Sequence, residues 1–208
     1  LSIKINDDPE KIFSESDVVI DFTTPQSTLE NILMASEQKT PIVVGTTGLD
    51  EKILDAIKKS SENIPILQSS NMSVGLNLLL QLVYKTASTF KDIDYDIEIA
   101  ETHHKHKVDA PSGTAITLGE YAAKGRKTNL NKVKVFDRTS LSSKRKRGSI
   151  GFAVTRGGEV AGEHTVSFIG TNDSINLVHK AHNRLIFVNG AIEAAIFISN
   201  KKNGLYSM

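Results

Sequence analysis

Three short, uninterrupted apolar runs separated by helical patterns constrain this chain more than anything else in it. DVVIDF (17–22), TPIVVG (40–45) and IPILQ (64–68) are continuous rather than alternating, the pattern of strands buried on both faces. Between them, TLENILMASEQ (28–38) sets Leu29, Ile32, Leu33 and Ser36 at helical spacing. DEKILDAIKKS (50–60) sets Ile53, Leu54 and Ile57 behind an acidic first turn that suits the helix dipole. Strand, helix, strand, helix, strand is the order of a parallel α/β sheet. A further helix, VGLNLLLQLVYKTASTF (74–90), is apolar around much of its circumference and is expected to be well buried.

After Phe90 the pattern changes. DIDYDIEIAE alternates Tyr95, Ile97 and Ile99 against Asp96 and Glu98, which predicts a strand with one wet face. KVKVF (132–136), SIGFAVTR (149–156), EHTVSFIG (163–170) and SINLVHKA (174–181) also read as strands. Arg156-Gly157-Gly158 and Thr171-Asn172-Asp173 read as hairpin turns, so a second, mostly antiparallel α+β unit is expected. The tail RLIFVNGAIEAAIFIS returns to the apolar style of the opening and is expected to pack there. No internal repeat is visible, and the LSSKRKRG loop (141–148) is the one biased segment.

Composition narrows the function. With 25 basic and 24 acidic residues the formal charge is +1, so the molecule as a whole recruits neither nucleic acid nor an anionic membrane, and any anion site must be local. The Lys144–Arg147 run reads as a solvated loop. There is no cysteine, which excludes disulfides, thiolate nucleophiles and sulfur-ligated metal, and points to a cytoplasmic setting. The most apolar windows are far shorter than the ~20 residues a membrane span needs.

The chemistry concentrates in ETHHKHKVDAPSGTA (101–115), with three histidines and two lysines in the five positions His103 to Lys107. A histidine pair could share a zinc ion, but Lys105 and Lys107 beside a dication count against it, and no metal is expected. Pro111 fits the first position of a helix whose buried stripe is Ala115, Leu118 and Ala122 and which ends near Gly125. The amides of Gly113 and Thr114 at its start would face an anion. With His and Lys on the incoming segment, this describes a pocket for a small carboxylate with proton donors in reach. In the first unit, ligands belong beyond the carboxyl ends of the strands. The loops there are Gly45-Thr46-Thr47-Gly48 and Ser69-Ser70-Asn71-Met72-Ser73. Either is also a plausible tight connection. A GxGxxG fingerprint is absent from the sequence, and GGEVAG (157–162) has no helix after it.

ETHHKHKVDAPSGTA, together with DVVIDFT, VVGTTG, SSNMSVG, GFAVTRGGEVAGEHTV, FVNGAIEAA and GLYSM in that order, resembles the dihydrodipicolinate reductase family over essentially the whole chain. The resemblance implies a Rossmann-like parallel-sheet nucleotide domain, 1–72 plus 182–208, and a mixed or antiparallel-sheet domain for substrate and oligomerisation, 73–181. It implies reduction of 4-hydroxy-tetrahydrodipicolinate, a small dicarboxylate of the diaminopimelate route to lysine, with hydride from NADH or NADPH. His103 would be the acid/base histidine, Lys107 the proton donor and His104 a substrate contact, while Gly113 and Thr114 would bind a substrate carboxylate. Gly45, Thr46, Thr47, Ser69, Ser70, Asn71 and Met72 would line the nicotinamide side of the cofactor site. A homotetramer built through strands 149–181 is implied as well.

The same resemblance implies a strand, a glycine-rich turn, a helix and a second strand ahead of Leu1, and a few residues beyond Met208. The expectation is that these 208 residues are a piece of a longer reductase. As a complete chain they would bind NADH weakly or not at all, and would form a non-catalytic oligomeric remnant.

Overall fold

The computed structural model describes residues 5–139 and 142–208; Leu1 and Leu141, the first residues of the chain and of the LSSKRKRG loop, lie outside them. In chain order the elements are α1 (Pro9–Ser14), β1 (Val19–Asp21), α2 (Pro25–Gln38), β2 (Ile42–Val44), α3 (Glu51–Ser60), β3 (Pro65–Gln68), α4 (Val74–Thr89) and β4 (Tyr95–His103). They continue as α5 (Gly113–Gly125), α6 (Leu130–Val133), β5 (Lys134–Val135), β6 (Ile150–Arg156), β7 (Gly162–Gly170), β8 (Ser174–Ala181), α7 (Leu185–Ile198) and β9 (Gly204–Tyr206). They divide into two units, one made of 1–74 with 185–208 and the other of 75–184.

The first unit holds a four-stranded sheet in the order β1-β2-β3-β9, every pairing parallel. Ile42, Val43 and Val44 are all fully buried. Ile42, Val44 and Ile66 pack with Ile32 of α2 and with Ile53 and Ile57 of α3. Val43 and Leu67 pack on the opposite face with Ala191, Ala194 and Ile198 of α7. Helices on both faces explain why β2 and β3 read as unbroken apolar runs, whereas in β1 Ile20 is 41% exposed, so that strand is not buried on both faces as expected. Helix α2 begins three residues ahead of the predicted start, because Thr24 caps Ser27 N–H and Pro25 takes the first turn, where its missing N–H costs nothing. Of the residues set at helical spacing, Leu33 is exposed, while Ala35 and Thr28 are buried alongside Ile32. Helix α1, capped by Asp8, and strand β9 carry too few residues to show a period and escape the sequence reading.

The second unit holds a five-stranded sheet in the order β5-β6-β4-β7-β8. It is mixed rather than mostly antiparallel: β4 is parallel to β6 and antiparallel to β7. Strands β6 and β7 are therefore not a hairpin, because β4 lies between them and the Arg156-Gly157-Gly158 turn carries the chain across its end. Thr171 to Asp173 does close a hairpin, between β7 and β8. KVKVF is split between the end of α6 and a two-residue β5. Leu79, Leu80 and Val83 of α4 and Ala115, Leu118 and Ala122 of α5 form one core with Ile97, Ile99, Val166 and Phe168. Helix α4 is less buried than expected: Val74, Leu78 and Leu82 are exposed. In the Lys144–Arg147 loop, Arg145 is no free cation. Its guanidinium contacts Asp96 at 2.6 Å, Glu98 at 3.0 Å and the carbonyls of Ile97 and Ser149.

Candidate active site

The register of β4 against its neighbours assembles the second unit's polar cluster. Side chains two residues apart share a face of a strand. Ile97, Ile99, Glu101 and His103 accordingly all point inward and are buried. Across the sheet Glu101 stands opposite His164 of β7, and His103 stands opposite Arg156 of β6. A charge on an apolar register needs partners, and Glu101 has three, making four hydrogen bonds. Its Oε1 accepts from Ser112 N–H at 3.0 Å and from Arg156 at 2.8 Å. Its Oε2 accepts from Arg156 at 2.9 Å and from His103 Nδ1. Burial works to raise the Glu101 carboxyl, but the hydrogen bonds from Arg156, His103 and Ser112 prevail and hold it below the usual range.

His103 shifts the other way from a simple ion pair. Burial lowers its pKa, and the Glu101 carboxylate only partly opposes this, so the ring is neutral near pH 7. An ionised carboxylate only accepts, so Nδ1 carries the ring hydrogen and Nε2 the lone pair. Nε2 faces Gly162, where a Cβ would lie 3.0 Å away and where φ is +154°, two reasons for glycine at that turn. The neighbouring ring of His164, 5.0 Å off, is pushed down to about 4, mainly by burial and then by His103. Its Nε2 meets Ser112 Oγ at 3.2 Å, while its buried Nδ1 has no partner among the described residues.

The loop beyond β4 is pinned by the turn that follows β6. His103 carbonyl accepts from Gly157 N–H, His104 N–H donates to Val160, and Lys105 N–H donates to Gly158. His104 is half-buried, whereas Lys105 and His106 lie out beside Glu159. Lys107 is 2.8 Å from Asp109, whose carboxyl is held below its ordinary range chiefly by that ammonium. Ala110-Pro111 is cis, and Pro111 precedes the helix instead of opening it. The N-cap is Ser112, whose hydroxyl accepts from Ala115 N–H at 3.1 Å, so Gly113 and Thr114 are the first two helical residues. The Gly113 N–H lies near the Asp109 carboxylate and adds a small further lowering behind that of Lys107. The chain's own carboxylate thus engages Lys107 and the start of α5 together.

Five residues of this cluster escape the sequence reading: Glu101, Asp109, Ser112, Arg156 and His164. Two had a usable signal, since Glu101 continues the Ile97, Ile99 alternation and His164 precedes Val166 and Phe168 by the same period. Glu101, His103 and His164 also present three ligand atoms within 4.8 Å of one another, a spacing that could hold a metal ion. Against that, both oxygens of Glu101 already accept two hydrogen bonds each, and a cation there would have to displace Arg156.

The first unit's predicted residues sit at the carboxyl edge of its sheet, where three loops are tied together. Gly45 N–H donates to Asp21 carbonyl, Ser69 N–H to Val44 carbonyl, and Thr23 N–H to Thr46 Oγ1. Thr46 is buried and also accepts from Thr28 at 2.8 Å. Gly45 lies under the ring of Phe22, which a Cβ would strike. Met72 is 1% exposed and belongs to the α7 side of the core, so only its backbone is near the edge. Thr47, Gly48 and Ser70 are exposed and Asn71 half-buried. Small hydroxyl groups, backbone amides and the 53% exposed Phe22 ring fit a flat, uncharged ring system at this edge.

A parallel α/β unit completed by the end of the chain, with an inserted mixed-sheet unit that carries buried titratable groups, defines the class of two-domain, Rossmann-like dehydrogenases and reductases. The fold is that of a dihydrodipicolinate reductase from Paenisporosarcina sp. TG-14 solved with dipicolinate bound, at a TM-score of 0.75 and 24% identity over 93% of this chain and 72% of that one. The dihydrodipicolinate reductase N-terminus model matches residues 1–72, and the C-terminus model matches 75–208. A 4-hydroxy-tetrahydrodipicolinate reductase of Bartonella tribocorum is 46% identical over 100% of this chain and 77% of its own length. One from Mesorhizobium japonicum is 47% identical over 100% and 76%. The chain belongs to the dihydrodipicolinate reductase family.

Proposed function

We propose that this protein reduces 4-hydroxy-tetrahydrodipicolinate to tetrahydrodipicolinate, as its relatives are named for doing, in the diaminopimelate route to lysine. The net change is loss of the 4-hydroxyl as water with gain of one hydride and one proton. A reductase of this family takes its hydride from a pyridine nucleotide, here NADH or NADPH. Thr47, Ser70, Asn71 and the backbone of Gly45, Thr46, Ser69 and Met72 would hold the nicotinamide end, in a dinucleotide-binding domain formed by the first unit. The second unit would bind substrate. Its carboxylates would be met by Gly113, Thr114 and His104, Lys107 would deliver the proton, and neutral His103 would relay or orient it.

The observation that carries this reading is the meeting of Lys107, Asp109 and the Gly113 amide. They form a cradle that already holds one carboxylate, with His103 at the end of the adjoining strand. The α5 start supplies the amide and the dipole, and the ammonium supplies both charge and proton. Assembly as a homotetramer through the second sheet is supported by its outer face. Ala100, Ala153, Thr165 and Ser167 share that face with exposed Ile169 and Val178. Among the described residues no helix is long and apolar enough to cross a membrane, which fits the reading of a cytoplasmic enzyme.

The test is the loss of reduced-nicotinamide absorbance when the protein meets freshly generated 4-hydroxy-tetrahydrodipicolinate, with each cofactor in turn. Consumption by the wild type that Lys107→Ala abolishes is the expected result. A wild type that binds cofactor and substrate but consumes neither would overturn the reading. Light scattering on the same sample reads the tetramer directly.

A further inference from the structure

We propose that Glu101 is a positioning residue that sets two parts of the site at once, the tautomer of His103 and the placement of the α5 start. The inference rests on the reductase reading for what those two parts do, but not for the coupling between them.

The argument begins with saturation. A carboxylate has about four lone-pair positions, and the four contacts on Glu101 come from three different segments. His103 Nδ1 is at the end of β4, the Arg156 fork at the end of β6, and Ser112 N–H at the N-cap of α5. The Arg156 fork reaches further, donating at 2.7 Å to the carbonyl of Asp109, the residue whose side chain holds Lys107. His103 is thus bonded to the buried carboxylate directly, Gly113 follows its partner Ser112 in the chain, and Lys107 is reached from it through Arg156 and Asp109. Glu101 is 3% exposed and has no route to a substrate of its own, so it acts through its neighbours.

Chemically, Glu101 decides which nitrogen of His103 carries the ring hydrogen. With Nδ1–H given to the carboxylate, Nε2 is a lone pair able to accept a proton. A glutamine at 101 cannot reproduce this. Whichever way its amide turns, its NH2 group faces a donor, either the Arg156 fork or the Ser112 and Arg156 pair. The first orientation sets the NH2 against one donor, Arg156, and lets the Nδ1 lone pair of His103 accept, whereas the second sets it against two donors. The first is therefore preferred, and His103 is driven to the Nε2–H tautomer.

The experiment is histidine-selective 15N NMR of the full chain and of Glu101→Gln, with turnover measured in parallel. The expected result is Nδ1–H His103 in the wild type, Nε2–H in the variant, and a fall in kcat between about 10-fold and the ~10⁴-fold that a wrong-tautomer histidine costs in a Ser-His-Asp triad. A folded Glu101→Gln protein with wild-type His103 resonances would overturn the proposal. If that variant does not fold, Arg156→Lys carries the test. It keeps Glu101 charged but removes the fork, so dipicolinate binding by calorimetry should weaken at least about fivefold while His103 stays Nδ1–H. Unchanged binding would overturn the proposal equally. The NMR arm needs no turnover, so a wild type that consumes no cofactor would sink the reductase reading and leave this one measurable.

Discussion

The two units use the ends of their strands in opposite ways. The first presents small, mostly neutral groups held by backbone hydrogen bonds: Gly45 on Asp21, Ser69 on Val44 and Thr23 on Thr46. The second presents a buried carboxylate saturated by a guanidinium, an imidazole and an amide, with an ammonium-carboxylate pair beside it. If the first unit holds the nicotinamide as proposed, its recognition would be spread over many weak contacts, none of them expensive to alter. The second concentrates its chemistry in a few charges, each costly to lose.

The sharpest break of that comparison is Lys107→Ala. Turnover should fall by about 10²- to 10⁴-fold, while fluorescence titration finds nicotinamide binding unchanged; a near-normal rate would refute the assignment. Next in size is the pH dependence of stability. His164 titrates near 6.5 when unfolded and at about 4 when folded. Between those values the unfolded chain holds more protons, so stability is full above about pH 6.5 and is lost as pH falls toward 4, by on the order of 3 kcal/mol. His103, also shifted downward, acts in the same direction. Denaturant melts across that window should show the loss, and His164→Asn should flatten the slope. An equal slope in the variant would place the effect elsewhere.

Asp109→Asn should have a smaller effect. With Lys107 and the Gly113 amide relieved of a competing carboxylate, dipicolinate should bind about 3- to 10-fold more tightly, a change of ~1 kcal/mol. Weaker binding would mean that Asp109 orients Lys107 rather than competing for it. Gly45→Ala is the mildest. The new methyl displaces the far end of the Phe22 ring, which is half in solvent, so stability should change by less than about 1 kcal/mol and nicotinamide affinity only modestly. A large loss of stability would mean the first unit's edge is as rigid as the second's.

The same contrast explains what could be read without coordinates. Both-face burial leaves a signal in nearly every residue of β2 and β3, while β1, whose Ile20 is 41% exposed, is legible from its apolar run alone; all three were legible to within two residues at each end. The cluster around His103 was legible only in part, because Arg156 and His164 lie far along the chain and reach Glu101 through sheet register. Nothing local to Arg156-Gly157-Gly158 says that a third strand will sit between β6 and β7. The start of α5 was misplaced by two residues for a local reason, since Ser112 competes with Pro111 for the helix entry and its hydroxyl wins by capping Ala115.

The interruption of the first unit by residues 75–184 also has a consequence during synthesis. The second unit is continuous, and all five strands of its sheet have been made once Ala181 has left the ribosome. The first cannot complete its sheet until β9, ending at Tyr206, pairs with β3. Of the two units, the one whose first strands are made earlier is therefore the last to be finished, and strand β3 waits, one edge open, while residues 69–203 are translated.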